Sequence, residues 1–178
     1  MITYYLSLGA NLGDREASLT KAAALLQREP QLVVKNVSPL YETPPWGKTD
    51  QPRFLNGIVA VETEADGPAL LGICQHIEQA LGRVRHEKWG ARTIDLDIVY
   101  STGPSYHTER LQLPHPYVTQ RAFVLIPLQD VAPNLMINGT SIAHWLDRLT
   151  DTNTIQKYAE PGDWFGKESN YGKNTHCR

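Results

Sequence analysis

Apolar and polar positions recur with two different periods along the chain, and the changes of period mark its elements. Ile2–Leu8 is a short β-prone run that ends at Gly9-Ala10-Asn11-Leu12-Gly13-Asp14. That turn has two glycines and an aspartate placed to cap a helix. Leu19, Ala22, Ala23 and Leu26 then return at helical spacing, and Pro30 closes the helix they predict. Leu32–Tyr41 predicts a strand broken at Pro39, residues 42–52 a loop, and Phe54–Glu64 a second strand. Asp66 and Pro68 open another helix with an apolar stripe of Leu70, Ile73, Cys74, Ile77 and Leu81, and Gly82 ends it. A further strand runs through Asp95. The order β-α-β-β-α-β predicts an α+β fold of the ferredoxin-like type, an antiparallel sheet with both helices on one face. Its other face is left for added elements or a ligand. Leu111–Leu113 reads as a short strand, Arg121–Val131 and Ile142–Leu149 as helices, and Asn138-Gly139 as a turn. One domain is expected over residues 1–150, with residues 151–178 as an extension. There Trp164, Phe165 and Tyr171 either dock the chain onto the body or leave a loose end.

Composition narrows the class without changing this outline. A domain near 178 residues buries about 70% of its unfolded surface and can hold a core without staples. A formal charge of −2 argues against a general nucleic-acid binder, since the basic residues are concentrated locally. Cys74 and Cys177 are far apart and show no zinc or disulfide spacing. No apolar run approaches the length of a membrane span and no basic leader precedes an apolar stretch. A monomer of the reducing cytosol, without nucleic acid or membrane as partner, is the expectation.

The chemistry concentrates after the second helix. In Ile94-Asp95-Leu96-Asp97-Ile98 the two acids alternate with apolar residues, so both point to one face of a strand, with Cα atoms about 6.6 Å apart. Their repulsion needs compensation, and two magnesium ions about 3.5–4 Å apart supply it. Magnesium takes one or two carboxylates and fills its other positions with water and phosphate. Just upstream, Arg83, Arg85, Lys88 and Arg92 bring four positive charges together, with His86 beside them. Taken alone, an Asp-x-Asp strand is more often a solvated face, and a basic cluster is usually a wet loop. Contiguous, they favour a site for a nucleoside triphosphate: metals at the carboxylates, arginine forks on the remaining phosphate oxygens. Gln75 and Glu78 fall off the helical stripe three residues apart, a spacing that lets both face one cleft, but on spacing alone ordinary solvent-facing residues are the expectation.

The residues also resemble a known family. Lys88-Trp89-Gly90 followed by Arg92-Thr93-Ile94-Asp95-Leu96-Asp97-Ile98-Val99 is similar to the signature of the hydroxymethyldihydropterin pyrophosphokinases. The turn at residues 8–14, Tyr41-Glu42-Thr43-Pro44-Pro45, Asp50–Asn56, Leu113–Pro116 and Arg121–Leu128 resemble other segments of that family, in family order. The resemblance implies transfer of the terminal diphosphate of ATP to the hydroxymethyl group of a reduced pterin, releasing AMP. It implies that Asp95 and Asp97 ligate two Mg2+ ions and that Arg83, Arg85, Arg92, His115 and Arg121 contact phosphates. Lys88 and Trp89 fall in the same loop, and Gln75, Glu78 and Ile98 at nucleotide-side positions. On the pterin side it places Thr43, Pro44, Trp46, Phe54 and Asn56, with Asp95 nearby and Trp89 and Phe123 on the flat ring. Arg83, Arg92, Asp95 and Asp97 are the expected catalytic residues, and no protein nucleophile is expected.

The chain departs from the family pattern at six positions. Ala91 stands where proline is more frequent, Trp46 where a smaller apolar residue is common, and Phe54 where some members have tyrosine. Tyr117 and Gln120 stand where charged residues are frequent, and Gln112 where a hydroxyl residue can sit. None touches the expected metal ligands. Two rival readings remain: a two-metal nucleotidyltransferase, which releases pyrophosphate, and a non-catalytic ferredoxin-like binding module. An RNA-binding version of the latter would need aromatics where this chain has Asp-Leu-Asp.

Overall fold

The computed structural model describes residues 1–83 and 91–166. The first strand, β1 (Ile2–Ala10), leads through the glycine turn into α1 (Arg15–Arg28), whose N-cap Asp14 accepts from the Ala17 N–H at 3.0 Å. The predicted second strand forms as two pieces, β2 (Val33–Val37) and β3 (Leu40–Thr43), separated at Ser38-Pro39. Both pair antiparallel with the long β4 (Phe54–Thr63). The break satisfies its own polar groups: the Ser38 Oγ accepts from the Ile58 N–H at 2.8 Å and donates to the Pro39 carbonyl at 2.7 Å. Next, α2 (Gly67–Ala80) is capped by Asp66, which accepts from the Ala69 N–H at 2.9 Å. It stops before Gly82, whose φ of +79° suits glycine. The strand bearing the paired acids is β5 (Asp95–Ser101), antiparallel to β1.

The main sheet therefore runs β3, β4, β1, β5, with β2 beside β3 along β4. One face carries Tyr4, Leu6, Leu8, Leu96 and Ile98, packed on Leu19, Ala22, Ala23 and Leu26 of α1 and Leu70, Cys74 and Ile77 of α2. The other carries Tyr5, Ile58, Ala60 and Val99. Onto these pack Val124, Leu125 and Leu128 of α3 (Ala122–Val131) and Ile142 of α4 (Ile142–Asp147). Between β5 and α3, a two-residue ribbon joins β6 (Tyr106–His107) to β7 (Gln112–Leu113). A tighter one, β8 (Met136–Ile137) and β9 (Thr140–Ser141), turns at Asn138-Gly139, both with positive φ. The fold is thus a mixed α+β one, with an antiparallel sheet covered on both faces.

The chain after residue 150, for which the sequence left docking and a loose end both open, docks through residue 166. Here β10 (Gln156–Ala159) adds to β3, and Trp164, in α5 (Pro161–Trp164), is fully buried. The Trp164 Nε1–H donates to the Ser38 carbonyl at 3.0 Å. Its ring lies over the bare backbone of Gly57, where a Cβ would come within 3.2 Å of the indole. Tyr171 and Cys177 lie outside the described residues. No helix among those described is long and apolar enough to cross a membrane.

Candidate active site

Strand register assembles the site in two rows across the sheet. In the first, Asn56 of β4 pairs with Gly9 of β1, which pairs in turn with Asp95 of β5. In the second, Ser7 lies between Ile58 and Asp97. Residues opposite one another share a face. Asn56 and Asp97 thus lie on the side where Ile58 and Val99 meet α3, just beyond the end of that helix's cover. Gly9 is indispensable to the first row. A Cβ on it would meet the Asn56 Oδ1 at 2.6 Å, so a bare strip of backbone separates the amide of Asn56 from the carboxylate of Asp95.

Asp95 is held by two arginines, its oxygens accepting from the Arg83 Nη1 at 2.6 Å and the Arg92 Nη1 at 2.7 Å. Arg83 also pairs with Glu78. Glu78 is not solvent-facing, as its helical spacing suggested; only 4% of it is exposed. The reason lies at the edge of the sheet, where the Glu78 Oε1 accepts from the Leu96 N–H at 3.3 Å. Burial, and after it the charge of Asp95, push the Glu78 carboxyl above the usual range, with Arg83 working against them. Asp97 is pushed well up by burial and then by Asp95, to which it is hydrogen-bonded; Arg121 opposes the shift. Two acids this close on one buried strand face thus resist ionising together, and burial is the larger cause at Asp97.

The loops around the pair are tied down by Asn11, which is 2% exposed. Its Oδ1 accepts from the Arg92 N–H at 2.8 Å, and its own N–H donates to the Arg92 carbonyl at 3.0 Å. Its Nδ2 donates to the Gln51 Oε1 and the Pro52 carbonyl, both at 2.9 Å. Sequence reasoning assigned neither Gly9 nor Asn11 a place in the site. The signal available was their position where β1 ends, Gly9 one residue before its last and Asn11 directly after it.

Next to this lies an apolar and aromatic wall. Thr43 is buried, and its Oγ1 accepts from the Asn56 Nδ2 at 2.7 Å. Phe54 carries the Arg92 guanidinium 5.6 Å from its ring centre. Arg121, at the start of α3, is 9% exposed, with its guanidinium 4.5 Å from the Trp46 ring centre, 5.3 Å from Tyr117 and 5.6 Å from Phe123. Its Nε–H has no hydrogen-bond partner among the described residues. His115 donates its main-chain N–H to the Val99 carbonyl at 3.0 Å, and its Nδ1 accepts from the Tyr117 N–H at 3.1 Å. Burial, with Arg121 beside it, lowers His115 to about 4, so the ring is neutral with its proton on Nε2.

The structure therefore gathers Arg83, Arg92, Asp95, Asp97, Glu78, Thr43, Trp46, Phe54, Asn56, His115, Arg121 and Phe123 around one end of the sheet. Pro44 is half-buried at the start of the loop holding Trp46, and Gln75 is half-buried one turn before Glu78 on α2. The Ile98 side chain is in the helix-side core, on the face opposite Asp97. Arg85, Lys88 and Trp89 lie outside the described residues. Among those described, no group of three or more His, Cys, Asp or Glu side chains could enclose a metal. The available donor set is a carboxylate pair, which fits a cation that keeps water and phosphate ligands.

Comparison with known proteins agrees with this geometry. Residues 5–133 match the family 7,8-dihydro-6-hydroxymethylpterin-pyrophosphokinase (HPPK). A 2-amino-4-hydroxy-6-hydroxymethyldihydropteridine pyrophosphokinase of Methylorubrum extorquens is 47% identical over 157 residues, covering 88% of this chain and 99% of that protein. The Bacillus subtilis protein of the same name is 43% identical over 137 residues, 77% of this chain and 82% of its own. Among solved structures, an HPPK-DHPS in complex with substrates superposes with a TM-score of 0.64 at 16% identity, covering 83% of this chain and 45% of that one. The Plasmodium falciparum HPPK-DHPS with pteroate gives 0.63 at 19%, covering 83% and 44%. This chain thus spans less than half of those longer chains, and their likeness speaks for the fold alone. With more than half of its length matched and relatives above 40% identity, the chain belongs to the 7,8-dihydro-6-hydroxymethylpterin-pyrophosphokinase family.

Proposed function

We propose that the site transfers the terminal diphosphate of ATP to the hydroxymethyl group of 6-hydroxymethyl-7,8-dihydropterin, releasing AMP, as a step of folate biosynthesis. The observation that carries this reading is the hold of Arg83 and Arg92 on the two oxygens of Asp95, with Asp97 two residues along the same strand face. An arginine pair already gathered at a carboxylate can exchange it for polyphosphate oxygens when the carboxylates acquire a cation. Asp95 and Asp97 would hold Mg2+, two ions in this reading, and the metal would supply charge neutralisation for the phosphates.

The residues of the chain bind and orient. In the reaction the pterin alcohol oxygen forms a bond to the β-phosphorus of ATP. The bond from that phosphorus to the oxygen bridging the α-phosphate breaks, AMP leaves with that oxygen, and the alcohol proton is released. Arg83, Arg92 and Arg121 offset charge on the phosphate oxygens, which is most of what phosphoryl transfer asks of a protein. Arg85, Lys88 and Trp89 are assigned to the same loop from the family resemblance. His115 offers its Nε2–H to a phosphate oxygen. Gln75, Glu78 and the main chain at Ile98 border the nucleotide. The pterin has a flat ring with an amide-like edge. That shape suits Asn56 and Thr43 over the bare backbone of Gly9, with Pro44, Trp46, Phe54 and Phe123 supplying apolar area.

We take the strand order as the ferredoxin-like arrangement, residues 1–150 as the catalytic unit and residues 151–178 as an extension. A cytosolic monomer meeting two small molecules, and no nucleic acid, completes the reading. Product analysis with ATP, Mg2+ and the reduced pterin tests it: AMP and a diphosphorylated pterin are expected. Pyrophosphate release would establish the nucleotidyltransferase instead, and absence of turnover with retained ligand binding would establish a binding module.

A further inference from the structure

Two of the positions at which this chain departs from its family's pattern meet in space. Trp46, in the loop after β3, and Tyr117, just before α3, have ring centres 5.3 Å apart at 50°. Both rings cover Arg121, whose guanidinium lies 4.5 Å from the first and 5.3 Å from the second. Tyr117 continues the chain of contacts to His115, with ring centres 5.9 Å apart and its N–H on the His115 Nδ1 at 3.1 Å. The loop is held at its far end as well, where Asn11 binds Gln51 and Pro52.

We propose that Trp46 and Tyr117 are positioning residues that latch the pterin-side loop onto the start of α3 around Arg121. The latch presets Arg121 and His115 before any ligand arrives. Arg121 is the pivot. Stacked aromatic faces attract a guanidinium without using its N–H donors, so the cage fixes its plane and leaves donors for an acceptor still to come. Its buried Nε–H, without a partner among the described residues, is such a donor. The Trp46 indole reaches from the loop across to the start of the helix, so losing either ring loosens the loop and lets the guanidinium swing. This inference rests on the reading of Arg121 as a phosphate contact.

The test compares Tyr117→Ala, Tyr117→Phe, Trp46→Ala and Arg121→Ala in the full chain, by amide exchange without ligand and by steady-state kinetics. In Tyr117→Ala and Trp46→Ala, amides of residues 46–51 should exchange about tenfold faster, as for a loop released from a local contact. kcat/KM for the pterin should fall about tenfold with a smaller change in KM for ATP, and Tyr117→Phe, which keeps the ring, should recover most of both losses. Loop exchange and pterin kcat/KM within twofold of wild type in both alanine variants would overturn the latch. So would a Tyr117→Phe variant as impaired as Tyr117→Ala. Arg121→Ala separates the two levels: unchanged turnover there refutes the phosphate role of Arg121, whereas the exchange data judge the latch independently of catalysis.

Discussion

Asp97 lies two residues from Asp95 on the same face of β5, and both its burial and that neighbour resist its ionisation. Because its pKa is raised in the folded state, the native protein binds more protons than the unfolded chain. The associated stability is present at low pH and is lost as pH rises from the usual carboxylate range through the folded value. His115 acts in the opposite sense: lowered from 6.5 to about 4, it costs stability as pH falls through that interval. The comparison of wild type with Asp97→Asn cancels the His115 contribution. We expect Asp97→Asn to be more resistant to urea near neutral pH, with the advantage shrinking towards pH 4 and shrinking also on adding Mg2+ and ATP to wild type. An advantage independent of pH would show that Asp97 is charged and comfortable in the fold. Gly9 makes a second claim at this scale. Gly9→Ala places a methyl 2.6 Å from the Asn56 Oδ1, and overpacking of this kind costs about 1–3 kcal/mol. Pterin affinity should fall more than ATP affinity in that variant, as titration calorimetry would show; equal losses would remove Asn56 from the pterin side.

At the level of elements, strands and helices with a buried stripe were legible in the sequence, down to the caps at Asp14 and Asp66. The break at Pro39 was legible too, because proline cannot donate to a ladder. Glu78 was not, since helical spacing reports the helix's own stripe and says nothing of a neighbouring sheet edge whose Leu96 N–H needs an acceptor. Nor was β10. Its residues are mostly exposed and show no alternation, and it is a strand only because the edge of β3 is there to pair with. What fixes it is Trp164 behind the sheet, together with Arg53, which donates to the Thr154 carbonyl at 3.1 Å and pairs with Glu42 at 3.5 Å. Trp164→Ala should therefore destabilise the whole domain by about 3–5 kcal/mol, the range for removing a large buried aromatic. Urea unfolding measures this, and a loss under about 1 kcal/mol would mean that the segment contributes little to the core.

For the molecule as a whole, the two faces of one sheet divide the labour. The face under α1 and α2 is continuous hydrocarbon, and it is what the periodicity reported most directly. The opposite face is covered by α3 and α4 over only part of its length, and the rest carries Asn56, Asp95 and Asp97. Of the candidate site, the gathering of Asp95 and Asp97 with Arg83 and Arg92 was readable because their spacing has a chemical meaning, whereas Arg121 entered only through the family resemblance. Gly9 and Asn11 were not, because each acts by what it lets other residues approach. The account depends on those two acids serving a cation and not the fold. Steady-state turnover of ATP and the reduced pterin with Asp95→Ala and Asp97→Ala, each shown by circular dichroism to be folded, tests this most directly. We expect each variant to lose on the order of 10³-fold or more in kcat, as when a preorganised electrostatic contact to the transition state is removed. Turnover within about tenfold of wild type in either would contradict it.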